Sequence, residues 1–304
     1  MTTELISLVM PVWRPRPDWL RESVAGALAQ RGCRIEVIVV DDGSPQPAEQ
    51  HLRSFDDQRL RVVRTEHGGA AHARNVGIEA SAGGFLRFID SDDVIEVDST
   101  KALLALTEGR DDVIAFGATM FCDQDLRPIW KMTSEVEGDA VEACLLGRFT
   151  TRPHAFLFPR RIVELAGGWS SGLTVSEDWD FVLRALEHGR VRGTSSVATL
   201  YRRHPGGATA DPAEGMRGAE QVIERYFERH PDRRGTRLER KARARALAHG
   251  GRVYASHGHP AEGIARLARA ARMDPRAVWV EFAQALPAAA ARGRRLLGMK
   301  RPAV

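Results

Sequence analysis

Ile35-Glu36-Val37-Ile38-Val39-Val40-Asp41-Asp42-Gly43-Ser44 is a β-branched apolar run that stops at two carboxylates and a glycine turn. A run this continuous suits a strand buried on both faces, as in a parallel sheet. Its neighbours repeat the pattern. Leu5-Ile6-Ser7-Leu8-Val9-Met10 predicts a strand, followed by a helix over Pro17 to Gln30. Leu60-Arg61-Val62-Val63 predicts a third strand, Gly69 to Ala80 a helix, and Phe85 to Ile89 a fourth strand. Strand and helix alternating this way give an α/β fold: a Rossmann-like, mostly parallel sheet with helices on both faces. Right-handed crossovers set the strand C-termini on one edge, and ligands of such sheets bind outside that edge.

Phe88-Ile89-Asp90-Ser91-Asp92-Asp93 then gathers three carboxylates directly after a strand. Like charges repel, so folding alone gives no reason to collect them. A divalent cation does, since hard oxygen ligands suit Mg²⁺ or Mn²⁺ shared with substrate phosphates. The plain alternative is a solvated turn with an aspartate helix cap. Asp41-Asp42 and Asp90-Ser91-Asp92 both follow strands and so share one crevice. The first pair can accept hydrogen bonds from a nucleobase or ribose, or can belong to a helix start at Ser44-Pro45.

Three further segments carry similar double readings. His67-Gly68-Gly69-Ala70-Ala71-His72-Ala73-Arg74-Asn75-Val76-Gly77-Ile78 is a loop entering a small-residue helix. There Arg74 can meet a phosphate, or the helix simply packs closely on the sheet. It fits neither the dinucleotide glycine spacing nor the Walker A pattern. Glu177-Asp178 opens an amphipathic helix, either as a dipole partner or as a general base. Tyr201-Arg202-Arg203-His204 ends the last strand, expected over Val191 to Leu200. Arg202 can hold a diphosphate and His204 a metal or phosphate, although a lone histidine is more often structural. Short strands are expected from Asp112 to Trp130, joined at Asp123-Gln124-Asp125, and near His154 to Phe158.

The 304 residues suit one large domain and a smaller one, with 43% hydrophobic and 28% charged residues, as in a globular protein. No apolar run reaches a membrane span, and Leu5 to Val12 reads as a buried strand rather than a secretion signal. Cys33, Cys122 and Cys144 form neither a disulfide framework nor a zinc pattern, which points to the cytoplasm. The net charge is +4, concentrated as arginines after Arg217, but aromatics there are too sparse for nucleic-acid stacking. The composition turns helical near Gly206-Gly207-Ala208-Thr209, so the expected domains are 1–205 and a helical 206–304. Gly251, Tyr254, Gly258, Leu267, Ala270 and Pro275 fit one tetratricopeptide-like repeat, with Gly263 where alanine is usual, or else a generic helical hairpin. About three repeats make an independent solenoid, so this part packs on the first domain or on a second subunit. The tail from Arg292 to Arg301 interleaves basic residues with Leu296, Leu297 and Met299, which suits peripheral membrane contact or plain fraying.

In this order the motifs resemble the family 2 glycosyltransferases with the GT-A fold. The likeness rests on Met10-Pro11-Val12-Trp13, Val40-Asp41-Asp42-Gly43-Ser44, Ala73-Arg74-Asn75-Val76-Gly77-Ile78 and Asp90-Ser91-Asp92-Asp93. Gly167-Gly168-Trp169, Glu177-Asp178-Trp179-Asp180 and Tyr201-Arg202-Arg203-His204 complete it, over about the first two thirds of the chain. The resemblance implies a nucleoside diphosphate sugar, most often a UDP-sugar, as donor. Asp42 would contact the base with Asp41 and Pro11 nearby, and Asp90 would sit near the ribose. Asp92, with Asp90 and His204, would hold Mn²⁺ or Mg²⁺. Asp178 would take the acceptor's proton, with inversion at the sugar, and Trp169 and Trp179 would wall the acceptor side. The acceptor stays open among glycan, lipid-linked sugar, protein and small molecule. Ser170-Ser171-Gly172 replaces a common acidic turn, and Trp13 and Arg14 stand where Tyr and Asn are common. The rival readings are a sugar-phosphate nucleotidyltransferase, which wants a basic glycine-rich loop after the first strand, and a catalytically silent interaction protein.

Overall fold

The structure, a computed structural model, describes residues 4–173, 175–204 and 212–283. Chain contacts divide it into two units, Met1–Cys144 with Arg148–His204, and Leu145–Gly147 with Pro205–Val304. The boundary expected at Gly206-Gly207-Ala208-Thr209 and the tail from Arg292 lie outside the described residues.

The elements run β1 (Leu5–Val12), α1 (Pro17–Leu28), β2 (Arg34–Asp42), α2 (Ala48–Leu52), β3 (Leu60–Thr65), α3 (Ala70–Ala80) and β4 (Phe85–Phe88). They continue with β5 (Val94–Ile95), α4 (Ser99–Thr107), β6 (Val113–Cys122), β7 (Pro128–Met132), α5 (Val141–Leu145) and β8 (Phe156–Pro159). Then come α6 (Arg160–Leu165), α7 (Glu177–Leu186) and β9 (Arg190–Arg202). The strand order is β3-β2-β1-β4-β8-β6-β9-β5, with β7 beside β6. β3, β2, β1 and β4 are parallel, as is the β6–β9 pair. β8 enters antiparallel between β4 and β6, and the β6–β7 and β5–β9 pairs are antiparallel too. The mostly parallel character thus belongs chiefly to the N-terminal half. Phe156-Leu157-Phe158-Pro159 is buried at every position, and such a short apolar run carries no signal of its direction.

Leu8, Val9, Met10 and Val37 to Val40 are fully buried, as two-sided strands require. The parallel register sets Pro11 opposite Val40 and Val12 opposite Asp41, so β1 and β2 end level at one edge. Ile89 N–H donates to Val9 O, which brings the Asp90 loop out beside them. Behind that loop, the fully buried Arg87 donates to Ser99 Oγ, Thr100 Oγ1, His154 O and Ala198 O. Burial, only partly offset by Cys33, pushes the Arg87 pKa down to about 9.

The second unit is helical: α8 (Pro212–Arg229), α9 (Arg237–Ser256), α10 (Pro260–Met273) and residues 275–283. Ala244, Leu247, Ala248, Ala270 and Ala277 form its core. A Cβ at Gly251 would lie 2.9 Å from Gly263 O, so α9 and α10 approach backbone to backbone in a close helical hairpin. Buried Glu281 accepts from Arg245, His249 and Arg252. Burial pushes its carboxyl up, but His249, Arg252 and Arg245 outweigh this and hold its pKa down to about 2. Among the described residues no helix is long and apolar enough to cross a membrane.

Helix α3 lies close on the sheet through Gly77, where a Cβ would sit 2.3 Å from Val9 Cγ1 and 3.2 Å from Val40 Cγ2. Both valines are fully buried and have little room to move. Gly77→Ala is expected to destabilise the fold by about 1–3 kcal/mol through overpacking, read as a lower urea midpoint at unchanged slope.

Candidate active site

The edge formed by β1, β2 and β4 collects most of the acidic residues that the sequence singles out. Asp41 is 1% exposed, and its oxygens accept from Ser44 N at 2.8 Å, Ala48 N at 3.0 Å and Arg64 Nη1 at 2.6 Å. It closes the turn and accepts from the first N–H of α2, which starts at Ala48 behind Pro47 and not at the Ser44-Pro45 start that the sequence offers. Burial raises the Asp41 carboxyl, but these N–H groups and Arg64 prevail, so its pKa lies below the usual range. Asp42 accepts from Gly68 N at 2.8 Å and Gly69 N at 2.9 Å, with His67 Nδ1 2.8 Å away. It thereby fixes the loop entering α3. On the outer side of that loop His67 stacks on Trp13, with ring centroids 4.7 Å apart and planes 18° from parallel. Trp13 is 47% exposed, so this flat apolar shelf faces solvent next to Pro11.

The Asp90 to Asp93 turn is held from several sides. Ser23 Oγ donates to Asp90 O and Asp93 O. Arg202 N–H donates to Asp93 Oδ1 at 2.8 Å, and Arg202 Nε to Asp92 O at 2.8 Å. The rest of the Arg202 guanidinium is occupied by Glu22 Oε2 and Gln124 O. Asp92 Oδ2 lies 2.8 Å from His204 Nε2, and the His204 ring packs edge-on against Trp19. Asp90 Oδ1 accepts from Arg74 Nη2 at 2.8 Å. His154, on a 3-10 turn (Pro153–Ala155) rather than the strand the sequence predicts, backs the cluster. Its Nδ1 is 3.4 Å from Asp93 Oδ2 and 4.0 Å from Asp90 Oδ2. Burial raises both carboxyls, and the environment drives them apart. Arg74 and His154 hold Asp90 well below the ordinary carboxylate range, whereas the charges of Asp90 and Asp92 add to burial and keep Asp93 well above it.

Arg74 also reaches α7. Its Nη1 lies 3.4 Å from Glu177 Oε1, and its guanidinium sits 4.2 Å from the centre of the Trp169 ring. Asn75 makes a two-way bond with the Trp169 backbone, both arms 2.8 Å. Gly168 has φ +67°, and a Cβ there would meet Asn75 Oδ1 at 2.7 Å, so glycine is required. Arg184, paired with Asp180 on α7, donates to the Ala166 and Gly168 carbonyls. Trp169 itself is 2% exposed and stacked on Phe181 at 4.3 Å, so it is a core residue and not an acceptor wall. Asp178 is half-buried in the first turn of α7, behind Ser176 in the left-handed conformation (φ 62°). Burial first, then the charge of Glu177, raise its pKa to about 6, against Trp179 N–H, Arg152 and Arg74.

Comparison with known proteins places this geometry. The model of the glycosyl transferase family 2 matches residues 7–170, more than half of the chain. The chain belongs to glycosyl transferase family 2. The glycosyltransferase GlyG of Streptococcus pneumoniae is 35% identical over 118 residues, 38% of this chain and 39% of that protein. The glycosyltransferase EpsJ of Bacillus subtilis is 26% identical over 223 residues, 68% of this chain and 64% of EpsJ. The chain therefore spans less than two thirds of either relative. Among solved structures, S. aureus TarS 1-349 superposes with a TM-score of 0.63 at 17% identity, over 90% of this chain and 80% of that one. At this identity the likeness is one of fold, and the fold is the GT-A type that the motifs implied.

In this family 2 fold the structure brings Pro11, Asp41 and Asp42 to one edge, and Asp90, Asp92, Arg202 and His204 to the loop beside it. Arg74 ties that loop to the start of α7, which carries Asp178. The donor set suits a divalent cation: carboxylate oxygens with imidazole nitrogen. Asp90, Asp93 and His154 offer ligand atoms all within 4.8 Å of one another. Asp93 Oδ2 and both His154 ring nitrogens are buried without hydrogen-bond partners, which fits a cation at this set; it shares only Asp90 with the Asp90, Asp92 and His204 set that the resemblance implies, where Asp92 Oδ2 is taken up by His204. Sequence reasoning assigned no role to His154, Trp19 or Glu22, because none stands in a recognisable motif.

Asp41→Asn trades one accepting oxygen for an N–H that would face donors. The expected loss is about 1–3 kcal/mol, measured by denaturant unfolding near pH 7. Because the folded pKa is depressed, the deficit should shrink as pH falls and the native carboxylate is itself protonated.

Proposed function

We propose that this chain is a metal-dependent, inverting glycosyltransferase that moves a sugar from a nucleoside diphosphate sugar, foremost a UDP-sugar, to an acceptor hydroxyl in glycan or glycoconjugate synthesis. The observation that carries the reading is the Arg74 bridge. One guanidinium meets both Asp90 on the acidic loop and Glu177, the neighbour of Asp178. Donor-side and acceptor-side carboxylates therefore border one crevice. A TarS structure in complex with UDP-GlcNAc, with a TM-score of 0.60 to this chain, supports the donor class.

In this reading the Trp13–His67 shelf receives the base, framed by Pro11, Asp41 and Asp42. Asp42 acts by holding His67 and the 67–69 loop. Asp90, kept ionised by Arg74, serves the ribose side. Asp92, Asp90 and His204 would hold Mn²⁺ or Mg²⁺, and a bound cation neutralises charge on the departing diphosphate. Arg74 and Arg202 act as positioning residues, since the Nη groups of Arg74 are held by Glu177 and Asp90 and the Arg202 guanidinium by Asp92 O, Gln124 O and Glu22.

The acceptor oxygen forms a bond to the anomeric carbon while the bond from that carbon to the diphosphate breaks. The nucleotide leaves with the electron pair. The acceptor's proton passes to the Asp178 carboxylate, whose raised pKa makes it a better base than an exposed aspartate. A single base without a covalent nucleophile gives inversion.

Asp178→Asn is expected to lower turnover by about 10²- to 10⁴-fold while UDP affinity is retained, and wild-type turnover would end the assignment. A base must be deprotonated, so kcat/KM should rise with pH up to about 6 and then level. Asp92→Ala should abolish the Mn²⁺-dependent part of UDP binding in titration calorimetry.

A further inference from the structure

The cations of the inner cleft are nearly all matched. Arg64 meets Asp41, Arg74 meets Asp90 and Glu177, and Arg202 meets Glu22. Arg152 breaks the pattern. It lies just before the His154 turn, half-buried, and makes no ion pair with any described residue. Its guanidinium lies 5.0 Å from the centre of the Phe121 ring and 5.9 Å from that of Tyr201. Among the described residues, the one side-chain partner of its guanidinium N–H groups is the Met132 thioether, with Nη1 3.9 Å from Sδ. A thioether is a weak acceptor, so a group with five donors is left almost unsatisfied in a partly dry place.

The position is as telling as the missing partner. Tyr201 lies tilted against His154 with centroids 5.3 Å apart, and His154 backs Asp90 and Asp93. Arg152 thus stands beside the acidic loop, and its charge is also felt at Asp178. A guanidinium propped on two aromatic rings is held in place without a carboxylate to neutralise it. Such a fork suits a phosphate, which it grips with two parallel hydrogen bonds.

We propose that Arg152 binds a phosphate oxyanion of the substrates, borne either by the donor's diphosphate or by a phosphorylated acceptor. This rests on the transferase reading for its source of phosphate but not for its chemistry.

The test is titration calorimetry on the full chain with Mn²⁺, comparing wild type, Arg152→Gln and Arg152→Lys. One arm titrates UDP and uridine, and a second adds inorganic phosphate to UDP-saturated protein. Arg152→Gln should weaken one phosphate-bearing probe by on the order of tenfold or more, with Arg152→Lys in between. Loss on UDP with uridine unchanged assigns the donor diphosphate. Loss on inorganic phosphate with UDP unchanged assigns an acceptor-borne phosphate. Equal binding of every probe by Arg152→Gln and wild type overturns the proposal, as does an equal loss for UDP and uridine. Arg152→Met, which keeps bulk over Phe121, replaces the glutamine variant if that one does not fold. Wild type that fails to bind UDP refutes the transferase reading instead, and the phosphate arm without nucleotide then decides Arg152.

Discussion

One buried guanidinium sits where three distant pieces of chain meet. Arg74 on α3 faces Asp90, sixteen residues downstream, and Glu177, 103 residues downstream, while covering the Trp169 ring. Taking a guanidinium out of water is costly, and here well-placed carboxylates offset the cost. The Arg74 charge is therefore a constraint on all three pieces at once. Loop, turn and helix must each arrive in register, or a cation is left stranded in the interior. Asn75, the next residue, repeats the constraint with a two-way bond to the backbone of the same turn.

The same logic resolves the crowding of aspartates after β4. Each carboxylate has its own relief. Asp90 has Arg74, Asp92 has His204, and Asp93 has the backbone N–H of Arg202 together with a raised pKa that favours its neutral form. The turn tolerates three acids because their surroundings differ, not because they are solvated alike. Arg87 adds positive charge from behind, bonded only to hydroxyls and carbonyls.

Legibility in the sequence followed the range of the interactions. The apolar runs at Leu8 to Met10 and Val37 to Val40 announced buried parallel strands, since strand burial is written in local composition. Asp41 was ambiguous, because an aspartate after a strand can cap or bind. Its contacts with Ala48 and Arg64 show a cap at work. Trp169 looked like a cleft residue by resemblance, yet its stacking on Phe181 places it in the core. No local pattern marks a side chain whose meaning comes from partners a hundred residues away. His154 and Arg152 sit in an irregular stretch before β8, and their surroundings come from β4, β6 and β9. The antiparallel entry of β8 was hidden for a related reason, because direction is a property of the whole sheet.

The last strand adds a temporal side to this arrangement. Arg202 and His204, which secure Asp93 and Asp92, stand 109 and 112 residues after them. Loops that close over such separations form slowly, because much chain entropy is surrendered before any bond is gained. On an emerging polypeptide, Arg74 is present before the acidic turn, but the turn is synthesised long before Arg202 and His204 exist. The Asp92 and Asp93 side of the crevice is thus completed only with the end of β9, and a chain halted before it would carry that turn without the Arg202 N–H and the His204 ring that secure it.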